Sequence, residues 1–207
     1  MNAKLLFLFL LISSLLRLNA RAAKVPAFDH LPPGGIDIIE GWRFTGEDGA
    51  GFAAPEYNDK SWRIIHPEKP LSQLPELKGV SIGWMRTHFT VGPELSKRSL
   101  ILSVFQTCAS EIFLDGELIL RHGVISRSGN EVIPIGANLP EEELHLSAGK
   151  EHVLAIRFAP WRPGFHMHTD GYLLWLTLNN FSNWQANNKA IDESNGTYTV
   201  LVSVFFF

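Results

Sequence analysis

One dipeptide constrains the fold more than any other feature of the chain. In residues 110–120, S-E-I-F-L-D-G-E-L-I-L, two short apolar runs flank Asp115-Gly116. Asp-Gly at the centre of a two-residue loop supplies the positive φ angles of a type I′ turn. The spacing predicts that residues 111–114 and 117–121 pair as antiparallel neighbours, with Glu111, Asp115 and Glu117 at the solvated rim.

The rest of the chain supplies further strands. Residues 82–91 alternate, placing Met85, Thr87, Phe89 and Val91 on one face, which reads as buried, and Trp84, Arg86 and His88 on the other. Residues 100–105 are nearly continuous apolar, as in a central strand covered on both sides. Residues 36–44, 132–135, 151–158 and 172–178 read as strands between turns. In Y-N-D-K-S-W, Asn58 and Asp59 suit an Asx turn that sets Trp62, read as core, at the head of another strand. The sum is about eight strands with no amphipathic helix in the body of the chain, the pattern of an all-β sandwich or jelly roll.

With 207 residues, 45% hydrophobic and 19% charged, the chain can bury one ordinary core. A formal net charge of -3 argues against a nucleic-acid binder, which carries a basic stripe. The single cysteine, Cys108, excludes an internal disulfide and sits in an apolar run, so it reads as a small buried hydrophobe. Residues 1–23 combine Lys4, an apolar run and a small-residue exit at Ala20, the pattern of a secretory signal peptide, with an uncleaved N-terminal anchor as the alternative. The expected division is then a sandwich over 24–182, a polar linker over 183–199 and an apolar end over 200–207. That end reads as a last strand or, preferably, as the opening of a transmembrane helix, since eight residues cannot span a bilayer. An exported protein of the periplasm or cell envelope is the corresponding expectation.

Two groups of residues invite a chemical reading. Trp84, Arg86 and His88 combine an aromatic plate, a guanidinium and an imidazole on one strand face, a set that could stack and hydrogen-bond a sugar. The reading given the larger share leaves Trp84 half-buried under a loop and pairs Arg86 with a carboxylate. Trp161 and Arg162 in the following loop offer similar contacts. His166, His168 and Asp170, at i, i+2 and i+4, could ligate zinc if extended, although Pro160, Pro163 and Gly164 make the segment a loop and no established metal motif is present. Glu141-Glu142-Glu143 reads as a solvated turn or edge. No G-x-S-x-G elbow or P-loop occurs, and no catalytic group or cofactor is expected.

Four segments together, Y-N-D-K-S-W at 57–62, G-W-M-R-T-H-F at 83–89, I-F-L-D-G-E-L-I at 112–119 and V-L-A-I-R at 153–157, resemble the galactose-binding-like jelly-roll domain. This module stands at the N-terminus of family 2 glycoside hydrolases, and the resemblance covers residues 36–180. Met85 stands where those enzymes usually have tyrosine, Asp115 replaces the commoner asparagine, and the catalytic barrel has no counterpart. A closer resemblance, through A-S-E-I-F-L-D-G-E-L-I at 109–119 and the G-V-I turn at 123–125, is to the periplasmic sensor domains of Bacteroidetes-type membrane histidine kinases and phosphatases. The resemblance implies a non-catalytic module: a ligand-sensing or carbohydrate-binding domain of a membrane signalling protein, an accessory sugar-binding domain of a glycoside hydrolase, or a structural interaction module. The partners it implies are a glycan or other small ligand, the membrane through a C-terminal helix, and a second copy of the chain.

Overall fold

The computed structural model describes residues 25–126, 143–160, 172–182 and 184–185. Within them the strands are β1 (Ala27–Phe28), β2 (Ile36–Asp37), β3 (Arg43–Thr45), β4 (Arg63–Ile64), β5 (Gly83–Val91), β6 (Leu100–Gln106), β7 (Cys108–Leu114), β8 (Glu117–His122), β9 (Glu143–Leu144), β10 (Glu151–Pro160) and β11 (Leu174–Asn179). The larger sheet runs β4-β3-β5-β10-β7-β8, with β1 joining β5 in parallel at Thr90 and Val91. The smaller runs β2-β11-β6-β9. From β5 onward the chain passes repeatedly between the sheets and returns non-neighbours to one another's sides. That winding makes the protein an all-β sandwich of jelly-roll type.

The Asp115-Gly116 hairpin forms as the spacing predicts. Asp115 and Gly116 have φ of 52° and 90°, and β7 pairs β8 from Leu114↔Glu117 to Ser110↔His122. A register shift between Ile112 and Phe113 gives β8 one extra residue there, a bulge that increases the local twist. Asp115 at this rim is also a fastening point. Its carboxylate accepts from Lys150 Nζ at 2.7 Å and the Val153 amide at 2.9 Å, and bonds His152 Nδ1 at 2.8 Å, which fastens the turn to β10.

The expected first strand is two. Residues 36–44 begin on β11 of the smaller sheet as β2 and end on β5 of the larger as β3, crossing the sandwich at Trp42. Trp42 is fully buried and donates its indole N–H to the Ile38 carbonyl at 2.8 Å, so this crossing is itself core. The interior is filled by Met85, Phe89, Leu102, Ile112, Ile156, Phe158 and Leu176, each under 2% exposed. Complete burial of such side chains stabilises by roughly 1.5–3 kcal/mol apiece. Met85, Thr87, Phe89 and Val91 all face inward, as their alternation predicts. Cys108 lies here too, wholly buried, and burial raises its thiol pKa to about 12.

Strand β6 is less enclosed than its apolar run suggests. Leu100, Leu102 and Val104 are buried, but Phe105 is 44% exposed on the outer face of the smaller sheet. The 132–135 strand, and Glu141 and Glu142, lie outside the described residues, while Glu143 begins the edge strand β9.

Candidate functional site

The outer face of the larger sheet carries Trp84, Arg86 and His88. On a bare sheet this row would be a solvent-facing platform. Here residues 46–62 fold back across it, and electrostatics supplies one of the attachments. Arg43 and Arg86 are direct cross-strand partners, a placement that is destabilising for like charges. Asp59 resolves it, accepting from Arg43 Nη1 through Oδ1 at 3.2 Å and from Arg86 Nε through Oδ2 at 3.0 Å. His88 Nε2 reaches the same Oδ2 at 2.8 Å, and its Nδ1 meets Glu151 Oε1 at 2.8 Å.

The Arg86 guanidinium is fully buried and used from every side. Its Nη1 donates to the carbonyls of Phe52 and of Ala54, the latter at 3.0 Å, and Nη2 lies 3.5 Å from those of Pro55 and Tyr57. The segment has backbone bonds of its own, from Phe52 to Gly49, Ala54 to Gly51 and Tyr57 to Ala54, and Arg86 adds donors to the carbonyls it meets. The Tyr57 ring lies 5.7 Å from the guanidinium carbon, a further attraction. Asn58 closes the predicted Asx turn onto the Lys60 amide at 3.2 Å.

At the other end of this covering segment, Asp48 takes both Nε and Nη2 of Arg157 at 2.8 Å and the Trp84 indole N–H at 3.0 Å. Glu111 bonds the remaining Arg157 nitrogen at 3.2 Å. Trp84 stacks on Phe113 with centroids 5.5 Å apart and meets Phe52 edge-on at 5.9 Å. Ala155, opposite both Arg86 and Phe113 in register, is small enough to leave room for these groups.

Charge states follow from the contacts. Burial of Asp59 opposes ionisation, but the bonds and charges of His88 and Arg86 outweigh it and hold the carboxyl below its ordinary range. The bond from Asp59 raises the His88 pKa above its usual value, with Glu151 adding to the effect. At neutral pH Asp59 is therefore an anion enclosed by positive groups.

Of the residues singled out as ligand contacts, Trp84 is 3% exposed, Arg86 is wholly buried and His88 is partly covered. Of the two readings of this row, the structural one describes the positions of Trp84 and Arg86. Trp84 lies under a loop and Arg86 pairs with a carboxylate. Trp161, Arg162, His166, His168 and Asp170 lie outside the described residues. Among the described residues no cluster of three histidine, cysteine or carboxylate side chains is arranged to hold a metal ion, and no helix is long and apolar enough to cross a membrane. Trp62, expected in the core, is half-buried in an outer cluster with Phe52 and Tyr57, at 5.1 and 5.6 Å.

No protein-family model matches the chain, and no curated protein does. Solved structures similar to it include a Bacteroides uniformis β-glucuronidase, 18% identical with a TM-score of 0.48, covering 69% of this chain and 17% of that one. A family 2 glycosyl hydrolase member from Bacteroides cellulosilyticus is 18% identical with a TM-score of 0.47, covering 71% of this chain and 21% of that one. A Lactobacillus rhamnosus β-glucuronidase is 12% identical with a TM-score of 0.48, covering 76% and 30%. The chain spans less than a third of the length of these proteins, and with TM-scores below 0.5 the fold rests on its own strand order.

Proposed function

We propose that the chain is a non-catalytic accessory module, a sugar-binding β-sandwich of the kind appended to family 2 glycoside hydrolases. The observation that carries this reading is where the four resembling segments go. Asp59 of the first grips Arg86 of the second, and Asp115 of the third receives the Val153 amide of the fourth. The motif residues thus serve as joints of one frame, which is what a shared module requires of them.

The charge states of the two joint aspartates suit a structural role, not that of a general acid. A glycosidase needs a carboxyl that keeps its proton near neutral pH as general acid. Asp59 and Asp115 have pKa values driven the other way, despite burial, by the cations and N–H groups around them. Asp48 and Glu111 are tied to Arg157.

The test is a thermal-shift screen of the full chain against neutral oligosaccharides, run beside hydrolysis assays on chromogenic glycosides. A ligand bound only by the folded state raises the apparent stability. The expected result is a shift with at least one sugar and no turnover; turnover, or no shift with any sugar, defeats the reading. Export and attachment to the cell envelope are a separate proposal, tested by fractionating cells that express the tagged chain.

A further inference from the structure

The seam between the covering segment and the edge of the larger sheet is open. A cleft of about 470 Å³ lies there, lined by Thr45, Glu47, Tyr57, Trp62, Arg63 and Glu76 among others, a volume in the range of small-ligand sites.

Its arginine differs from the other described ones. Arg43, Arg86, Arg98, Arg121 and Arg157 each meet a carboxylate at 2.7–3.2 Å. Arg63 is the one arginine among the described residues that forms no such pair, although Glu47 and Glu76 line the same cleft. Three charged groups thus border one space with their hydrogen-bonding capacity unused by the described residues. The aromatic wall is held in place from behind. Phe52 packs against Tyr57 at 4.9 Å and Trp62 at 5.1 Å, and the Trp62 amide bonds the Asp59 carbonyl at 2.9 Å. A preset wall loses little freedom when a ligand stacks on it.

We infer that this cleft is the glycan-contact site of the module, taking one neutral pyranose unit against Trp62 with Glu47, Arg63 and Glu76 as its polar partners. The inference rests on the sugar-binding reading above. A pyranose has an apolar C–H face for the indole, vicinal hydroxyls that donate to carboxylates, and oxygens that accept from a guanidinium. Two carboxylates against one guanidinium disfavour a phosphate or uronate. The other aromatic surface, Phe105, Tyr172 and Trp175 on the smaller sheet, is less suited. There the Trp175 indole and the Thr177 hydroxyl both donate to Asp37, so its polar groups serve one another.

The deciding experiment titrates the full chain calorimetrically with cello-, xylo-, manno- and galacto-oligosaccharides, comparing wild type with Arg63→Ala, Glu76→Gln and Phe105→Ala. The expected result is binding of at least one series, weakened about 10-fold or more by each cleft variant, the loss typical of a hydrogen bond to a charged group. Melting temperatures of the cleft variants and affinity of Phe105→Ala should stay at wild-type values. Full affinity in both cleft variants, or loss confined to Phe105→Ala, overturns the site while leaving the sugar-binding reading intact. Tighter binding of an oligouronate overturns the neutral-ligand assignment. If wild type binds none of the four series, the functional reading falls and the site with it.

Discussion

Two aspartates hold this sandwich together, and they do so differently. Asp59 is 3% exposed and gathers Arg43, Arg86 and His88 from two strands beneath it. Asp115 sits at a hairpin tip with 19% of its side chain exposed and gathers Lys150, His152 and the Val153 amide. Each carboxylate binds a cation and a histidine, yet only Asp59 compensates a wholly buried charge. Asp115 acts through position as much as charge, since its φ of 52° helps make the turn and one of its bonds goes to backbone. The contrast separates a fastener defined by electrostatics from one defined by chain geometry.

Removal of Asp59 is the harshest test of that distinction. Asp59→Ala leaves Arg86 buried without its counter-charge and restores the repulsion between Arg43 and Arg86. Breaking a buried pair from one side costs about 3–5 kcal/mol. Urea denaturation should show that loss, with the Trp84 and Trp62 surroundings loosened in near-ultraviolet dichroism. A cost below about 1 kcal/mol would mean that the covering segment is held by Asp48 and the aromatic cluster instead.

The hairpin should respond to geometry first. Asp115→Asn keeps an acceptor for the Val153 amide and a residue that tolerates positive φ, so its cost should be small. Asp115→Ala loses both and should cost about 1–3 kcal/mol. Gly116→Ala, at φ +90° with Pro55 Cδ 3.0 Å from the new methyl group, should fall in the same range, about 1–2 kcal/mol. Equal effects of Asp115→Asn and Asp115→Ala in denaturant melts would show that charge governs here too, and the distinction would collapse.

The same division explains what the sequence discloses. The hairpin and the inward face of β5 are legible because an Asp-Gly step and a period of two are local signals. The split of residues 36–44 between sheets is not, because Trp42 is apolar enough for either a strand or a crossing. That Trp84 and Arg86 are covered is a reading the residues allow, but what covers them is hidden for a stronger reason. It depends on Asp48 meeting Arg157, 109 positions away, and on Arg86 finding carbonyls of Phe52 and Ala54 more than thirty positions before it. Alternation reports which face a side chain takes, not what folds over that face. The Trp62 cleft is similarly diffuse, assembled from residues around 45, 60 and 76 that form no motif in the chain.

The smallest effect expected is a pH dependence that reads His88 within the Asp59 knot. Its folded pKa is raised by the bond to Asp59, against the opposing effect of burial and with help from Glu151. A raised pKa means that its contribution is complete below the unfolded value near 6.5 and is lost as pH rises through the folded value. Asp59, whose pKa is lowered in spite of its burial, behaves oppositely: its contribution holds above about pH 4 and disappears on acidification. Between pH 6 and 9, therefore, wild type should lose stability relative to His88→Gln, by no more than about 1 kcal/mol for so partly exposed a pair. Parallel curves for the two proteins across that range would show that the imidazole binds Asp59 without charge, leaving Arg43 and Arg86 as the only cations the carboxylate holds.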